Sequence, residues 1–182
     1  MGDPRRLKKK YEAPKKLWDA QRIQEEQKLL EEYGLRSMRE LWVVKQELKR
    51  IRREARALLS LGEQGRVKSK ELLDKVRRYG FAKEDTSLEG LLSLGIRDIL
   101  ERRLETRVFK KGLARSMKQA RQLIVHGLIS VGGRRVSAPS YLVPAGEEES
   151  ISYYKPINLG LQAASQERKE ARSPGTQEAK AG

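Results

Sequence analysis

Between positions 19 and 60 the apolar residues return every third or fourth place, the spacing that puts them on one side of a helix. Ile23, Leu29 and Leu30 sit among Glu and Lys in a first such stretch, and Gly34 follows as a helix stop. A second begins at Ser37-Met38-Arg39-Glu40, which has the form of a capping box: the serine accepts an N–H at Glu40 and the glutamate reaches back. Leu41, Val44, Leu48, Ile51, Ala55 and Leu58 then make one stripe of a long helix that Gly62 and Gly65 end. Its other side carries Lys45, Lys49, Arg50, Arg52, Arg53 and Arg56. The pattern predicts a short helix over 70–78 closed by Gly80. It predicts another opened by Ser87, with Leu88, Leu91 and Leu92 inward and Gly95 at its end.

From residue 96 the pattern predicts a smaller unit. A helix over 97–111 puts Leu100, Leu104 and Val108 on one stripe and Arg103, Arg107 and Lys110 on the next, and Gly112 stops it. Ser116-Met117-Lys118-Gln119 is a second capping box, opening a helix with Ala120, Leu123 and Ile124 on its apolar side and His126-Gly127 at its end. Ile129-Ser130-Val131 and Arg134-Arg135-Val136 flank Gly132-Gly133, a hairpin loop of the positive-φ kind, which sets Ile129 opposite Val136. Leu142-Val143 and Ile151-Ser152-Tyr153 complete a small antiparallel sheet. The expected fold class is α+β: a helical N-terminal region and a helix–turn–helix with an antiparallel sheet. The expected divisions are a basic extended arm over 1–18, the helical region over 19–95, the module over 96–155 and a C-terminal extension over 156–182. The extension has no apolar face and is expected to be flexible unless a partner orders it.

Composition sharpens this picture. Of 182 residues 37% are apolar and 36% charged, which favours small cores with solvated or partner-bound segments over one large core. The 40 Lys and Arg against 25 Asp and Glu give a formal charge of +15, and the 34 positions from Arg102 to Arg135 hold ten bases against the single acid Glu105. Basic charge concentrated on an ordered element is the footprint of a polyanion surface. No cysteine is present and only one histidine, so no metal is expected. No run of about 18 apolar residues and no signal-like N-terminus occur, so no membrane attachment is expected and the chain reads as intracellular.

The cations fall in distinct places. Arg5, Arg6, Lys8, Lys9, Lys10, Lys15 and Lys16 lie with Pro4 and Pro14 in the arm, which is either a free tail or a segment that orders along phosphates. Arg115, Lys118 and Arg121 surround a helix N-terminus, where the backbone dipole adds to their charge. The basic side of the long helix is either solvated or in contact with phosphate. Phe109 reads as core, and Tyr153 and Tyr154 sit where stacking is possible. His126 is either a helix-end cap or a phosphate donor. Glu147, Glu148 and Glu149 mark an edge expected to face away from the polyanion.

Arg102-Arg103-Leu104-Glu105-Thr106-Arg107-Val108-Phe109, Gly112, Ser116, Ala120-Arg121-Gln122-Leu123-Ile124 and His126-Gly127 together resemble the S-four RNA-binding module. Ile129, Val131-Gly132-Gly133-Arg134 and Val136, with Pro139-Ser140-Tyr141 after them, continue the match over roughly 55 residues. Tyr33-Gly34-Leu35-Arg36, Glu40-Leu41-Trp42 and Leu58-Leu59 resemble the archaeal and eukaryotic form of the small-subunit ribosomal protein S-four family, the archaeal form fitting the chain length. The resemblance implies a primary binder of small-subunit (16S) rRNA at a multi-helix junction of its 5′ domain. It also implies early action in subunit assembly, a part in translational accuracy and a place lining the channel through which mRNA enters. Neighbouring small-subunit ribosomal proteins are the further implied partners, in the cytoplasm, with no cofactor and no small-molecule substrate. Its RNA contacts correspond here to Arg103, Arg107, Lys110, Lys111, Arg115, Lys118, Arg121, Gln122 and His126 and to the arm, with Arg134 and Arg135 beside them. Some bacterial relatives carry a cysteine zinc knuckle; this chain lacks the cysteines, so no zinc is implied.

Folded RNA is read by shape, phosphate and 2′-hydroxyl, since its base edges lie in a deep, narrow groove. With 5% aromatics, base stacking is expected to be a minor contribution. An RNA-modifying enzyme carrying the same module would need a catalytic domain, and residues 17–95 hold no phosphate loop, nucleophile–base pair or metal ligands. A stand-alone ribosome-associated chaperone or recycling factor shares the module and remains the alternative. A scaffold built on the long helix is disfavoured by the lack of a sustained heptad seam.

Overall fold

Asp19 accepts the Arg22 amide through its side chain and so starts α1, Ala20–Glu32. Gly34, at φ 62°, ends the exit turn in a conformation that costs other residues. α2 runs from Met38 to Leu61 and buries Leu41, Val44, Leu48, Ile51 and Ala55, the stripe expected from its spacing. Gly62–Gly65 form a 3-10 turn into α3, Arg66–Arg78, which starts four residues earlier than the pattern predicts. The helix expected after Ser87 is a 3-10 turn, Gly90–Ser93, because Gly90 and Gly95 leave too few residues for a full turn to propagate. The computed structural model describes residues 10–82 and 86–155; Arg5, Arg6, Lys8 and Lys9 of the arm and the extension from 156 lie outside the described residues.

The helix expected over 97–111 is two helices, α4 (Ile96–Glu101) and α5 (Leu104–Lys110). The chain breaks at Arg102-Arg103 because a returning segment pairs with it there. Arg103 bridges Leu142, the Leu104 amide donates to the Tyr141 carbonyl (2.8 Å), and the Val143 amide donates to the Arg102 carbonyl (3.0 Å). Leu142-Val143 therefore serve this bridge and not the sheet. α6 (Met117–Val125) follows, then β1 (Ile129–Val131), β2 (Arg134–Arg135) and β3 (Ile151–Tyr153) in the order β2-β1-β3, all antiparallel. Gly132 and Gly133 both have positive φ, and the Val136 amide donates to the Ile129 carbonyl, giving the expected hairpin register.

Two apolar cores result, and the fold is α+β. Leu41, Val44 and Ile51 of α2 meet Val76 of α3, Leu91, and Ile99 and Leu100 of α4 in the first. Leu104 and Val108 of α5, Leu123 and Ile124 of α6, and Ile129, Val131, Val143 and Ile151 fill the second. The cores divide at Arg102-Arg103. Among the described residues no helix is long and apolar enough to cross a membrane.

Candidate nucleic-acid interface

α6 is placed by its cap and by its buried side. The Ser116 hydroxyl accepts the Gln119 amide (3.2 Å), while the Gln119 side chain accepts the Arg115 amide (2.7 Å), one residue further back than a full capping box requires. With Ala120, Leu123 and Ile124 buried, the opposite side presents Lys118, Gln122 and His126, all exposed and each four residues from the last. Arg115 is exposed just ahead of them. Arg134 and Arg135 are exposed on β2, and the Arg135 guanidinium lies across Gly127 at the far end of α6. The result is a polar and cationic stripe running the length of α6 and onto the hairpin.

Other predicted site residues are held differently. Arg103 is buried, and its guanidinium donates to Glu40 on α2 (2.6 Å). Arg121 donates to both oxygens of the same carboxylate (2.6 and 3.2 Å) and to buried Glu105 (3.3 Å). Glu40 therefore does not complete the expected capping box with Ser37, whose side chain makes no cap bond. Burial works against the charge on Glu40, but hydrogen bonds from Arg121 and Arg103 hold its carboxyl below the usual carboxylate range. Glu105 is the reverse: burial pushes its carboxyl up to about 7, against the pull of Arg121 and Arg103. Its Oε1 has no hydrogen-bond partner, which a neutral acid tolerates better than a carboxylate does.

Arg107 lies 3.2 Å from Glu148, which also pairs with buried Arg102. The acidic turn expected to face away from the polyanion thus folds one glutamate back onto the module's own arginines. Lys110 pairs with Glu101 at 2.9 Å, a half-exposed contact, and Lys111 donates to the Glu149 and Ile151 carbonyls (2.7 and 3.2 Å). Lys10, Lys15 and Lys16 are exposed on a segment laid back against the helices, where the Tyr11 ring lies tilted against Trp42, centroids 5.8 Å apart, and Glu12 meets Lys49 at 2.6 Å.

Arg36 and Arg39 were not among the expected contacts, yet they belong beside this stripe. A Cβ on Gly34 would lie 2.7 Å from the Met117 Cβ, so the α1–α2 turn sits directly on the start of α6. Arg36 and Arg39, both exposed, follow Gly34 within five residues. The signal in the sequence was their position on either side of Ser37, a predicted helix start, as Arg115 and Lys118 flank Ser116. Among the described residues no group of three or more His, Asp or Glu is placed to hold a metal ion.

The S4 domain family matches residues 102–148, the span of α5, α6 and the bridge at Leu142. Small ribosomal subunit protein uS4 of Methanococcus aeolicus is 50% identical over 155 residues, covering 84% of this chain and 88% of the relative. The protein of that name from Methanothermobacter thermautotrophicus is 42% identical over 167 residues, covering 90% and 98%. That from Ignicoccus hospitalis is 49% identical over 154 residues, covering 84% and 93%.

Proposed function

Since the chain belongs to the family of small ribosomal subunit protein uS4, we propose that it is a structural, non-catalytic constituent of that subunit. It binds 16S rRNA at a junction of several helices in the 5′ domain. The observation that supports this reading is the exposed cationic stripe of α6 and the hairpin, held at a set angle to the α1–α2 turn by the Glu40–Arg103–Arg121 cluster. In this reading Arg115, Lys118, Gln122, His126, Arg134 and Arg135 face the RNA, with Arg36 and Arg39 extending the surface. Lys110 and Lys111 sit at its margin. Arg103 and Arg121 act inside the protein, as the guanidinium fork suits two carboxylate oxygens as well as two phosphate oxygens. Arg107 shares that internal role with Glu148. The arm residues Arg5, Arg6, Lys8, Lys9, Lys10, Lys15 and Lys16 follow the RNA backbone outward. Nucleation of assembly, contacts with neighbouring ribosomal proteins, a place along the channel through which mRNA enters and an influence on accuracy belong to the same reading, as does a cytoplasmic location.

A rigid basic face recognises folded RNA by the relative position of its phosphates, so binding is strong, salt-dependent and selective for one junction. With about six phosphates neutralised, affinity falls roughly 10³-fold between 50 and 200 mM salt. The test is binding to small-subunit rRNA across a salt series, beside an unrelated structured RNA of equal length. A preference for the ribosomal RNA that survives moderate salt is the expected result. Equal and steeply salt-sensitive binding to both RNAs would favour a stand-alone ribosome-associated chaperone or recycling factor instead.

A further inference from the structure

Trp18 is 93% exposed, the barest of the large apolar side chains among the described residues. An indole carries on the order of 200 Å² of mostly apolar surface, so leaving it in water forfeits a large burial term. A loose end would explain this, but the backbone here is tied on both sides. The Arg22 guanidinium donates to the Lys16 and Leu17 carbonyls (3.3 and 3.0 Å) and to Glu26 (2.7 Å). One residue past the indole, Asp19 caps α1. The fold thus holds Trp18 outward.

Its surroundings point to the partner. Lys15 and Lys16 are exposed within three residues. Of the nearby acids Glu12 pairs with Lys49 and buried Glu26 with Arg22 and Lys45, while Asp19 caps α1 and keeps its charge. Lys15 and Lys16 against Asp19 leave the local charge positive. Along the described chain from Lys10 to Ala20, Leu17, at 59% exposed, is the other exposed large apolar side chain, a patch small and cationic for a typical apolar protein contact. An open aromatic face close in the chain to two exposed ammonium groups suits a base and its phosphates.

We propose that Trp18 is a stacking residue that receives the face of one unpaired nucleobase, with Lys15 and Lys16 on the flanking phosphates. This rests on the RNA-binding reading above and adds a base contact to a surface otherwise made of phosphate contacts. Trp18 and Trp42 are the two tryptophans, so in a Trp42→Phe variant the fluorescence reports Trp18 alone. Titration with small-subunit rRNA is expected to quench it in step with binding measured by filter retention. In the otherwise unaltered chain, Trp18→Ala is expected to weaken that binding about 5- to 100-fold without changing its salt slope, and Trp18→Phe to restore most of it. Full binding without quenching, or an unchanged affinity for Trp18→Ala, overturns the proposal and leaves the RNA-binding reading intact. Quenching only in the assembled subunit assigns Trp18 to a protein neighbour and overturns it as well. Absence of any RNA binding by the unaltered chain overturns both.

Discussion

Glu105 and Glu40 sit on the same pair of arginines and yet titrate in opposite directions. Glu105 is fully buried with one unpartnered oxygen, whereas Glu40 faces both guanidiniums from the protein edge. A carboxyl raised from 4.5 to about 7 in the folded state binds a proton that the unfolded chain has already released. Its contribution to stability therefore falls as pH rises from 4.5 to 7, by on the order of 3 kcal/mol, and is constant above that. Glu105→Gln removes this dependence. The difference in melting temperature between Glu105→Gln and the unaltered chain should grow in favour of the variant from pH 5 to 7.5; parallel curves would mean that Glu105 stays ionised. Glu40 works the other way, supplying stability above its unfolded value that is lost as pH falls through its lowered folded value. Gly34 is the second residue on which the contact depends. Its φ of 62° and the 2.7 Å approach to Met117 together predict a loss of roughly 2 kcal/mol or more for Gly34→Ala, measurable as a lower urea midpoint.

At the scale of elements, α5 and α6 divide the basic residues between inside and outside. α5 turns Arg107 toward Glu148, and the break before it buries Arg102 and Arg103. α6 buries its apolar stripe and leaves Lys118, Gln122 and His126 in solvent. This separates two substitutions that look alike in the sequence. Lys118→Ala should leave stability within about 0.5 kcal/mol while weakening rRNA binding and lowering the salt slope by about 1, read from a binding series at several salt concentrations. Arg103→Ala should do the opposite, costing on the order of 3 kcal/mol in urea unfolding because it empties the buried place of a guanidinium and leaves Arg121 as the one cation on Glu40. A Lys118→Ala chain with unaltered affinity would remove α6 from the interface. The helix ends and the hairpin were largely legible beforehand, since Gly34, Gly112, Gly127 and the Gly132-Gly133 pair mark them by local conformational cost, whereas of the two capping boxes only the Ser116 cap bond forms. The break in the predicted 97–111 helix was not, because Leu100, Leu104 and Val108 keep helical spacing straight through it. Only the returning segment at residues 141–143 decides that the backbone opens there.

For the molecule as a whole, the Glu40–Arg103–Arg121–Glu105 cluster bolts the helical region to the module. Glu40 comes from α2, Arg103 and Glu105 from the break and α5, and Arg121 from α6. Arg121→Met takes α6 out of that link without adding bulk and leaves the Arg103–Glu40 pair as its one remaining ion pair. Fluorescence, which reports the helical region through Trp42, should then change at a different denaturant concentration from the far-ultraviolet circular dichroism of the whole chain. Coincident transitions would show that the two cores stay coupled without the Arg121 pairs.

Periodicity, glycine placement and the density of Lys and Arg determined the α+β class, most of the helix ends and the presence of a cationic surface, because each acts over a few residues of chain. Which cations reach that surface depended on acids far away in sequence: Glu40 lies 63 residues before Arg103 and 81 before Arg121. A charge count treats every arginine alike. Whether a guanidinium faces water or a buried carboxylate is settled by long-range packing and the desolvation that comes with it, and that exists only once the two cores have docked.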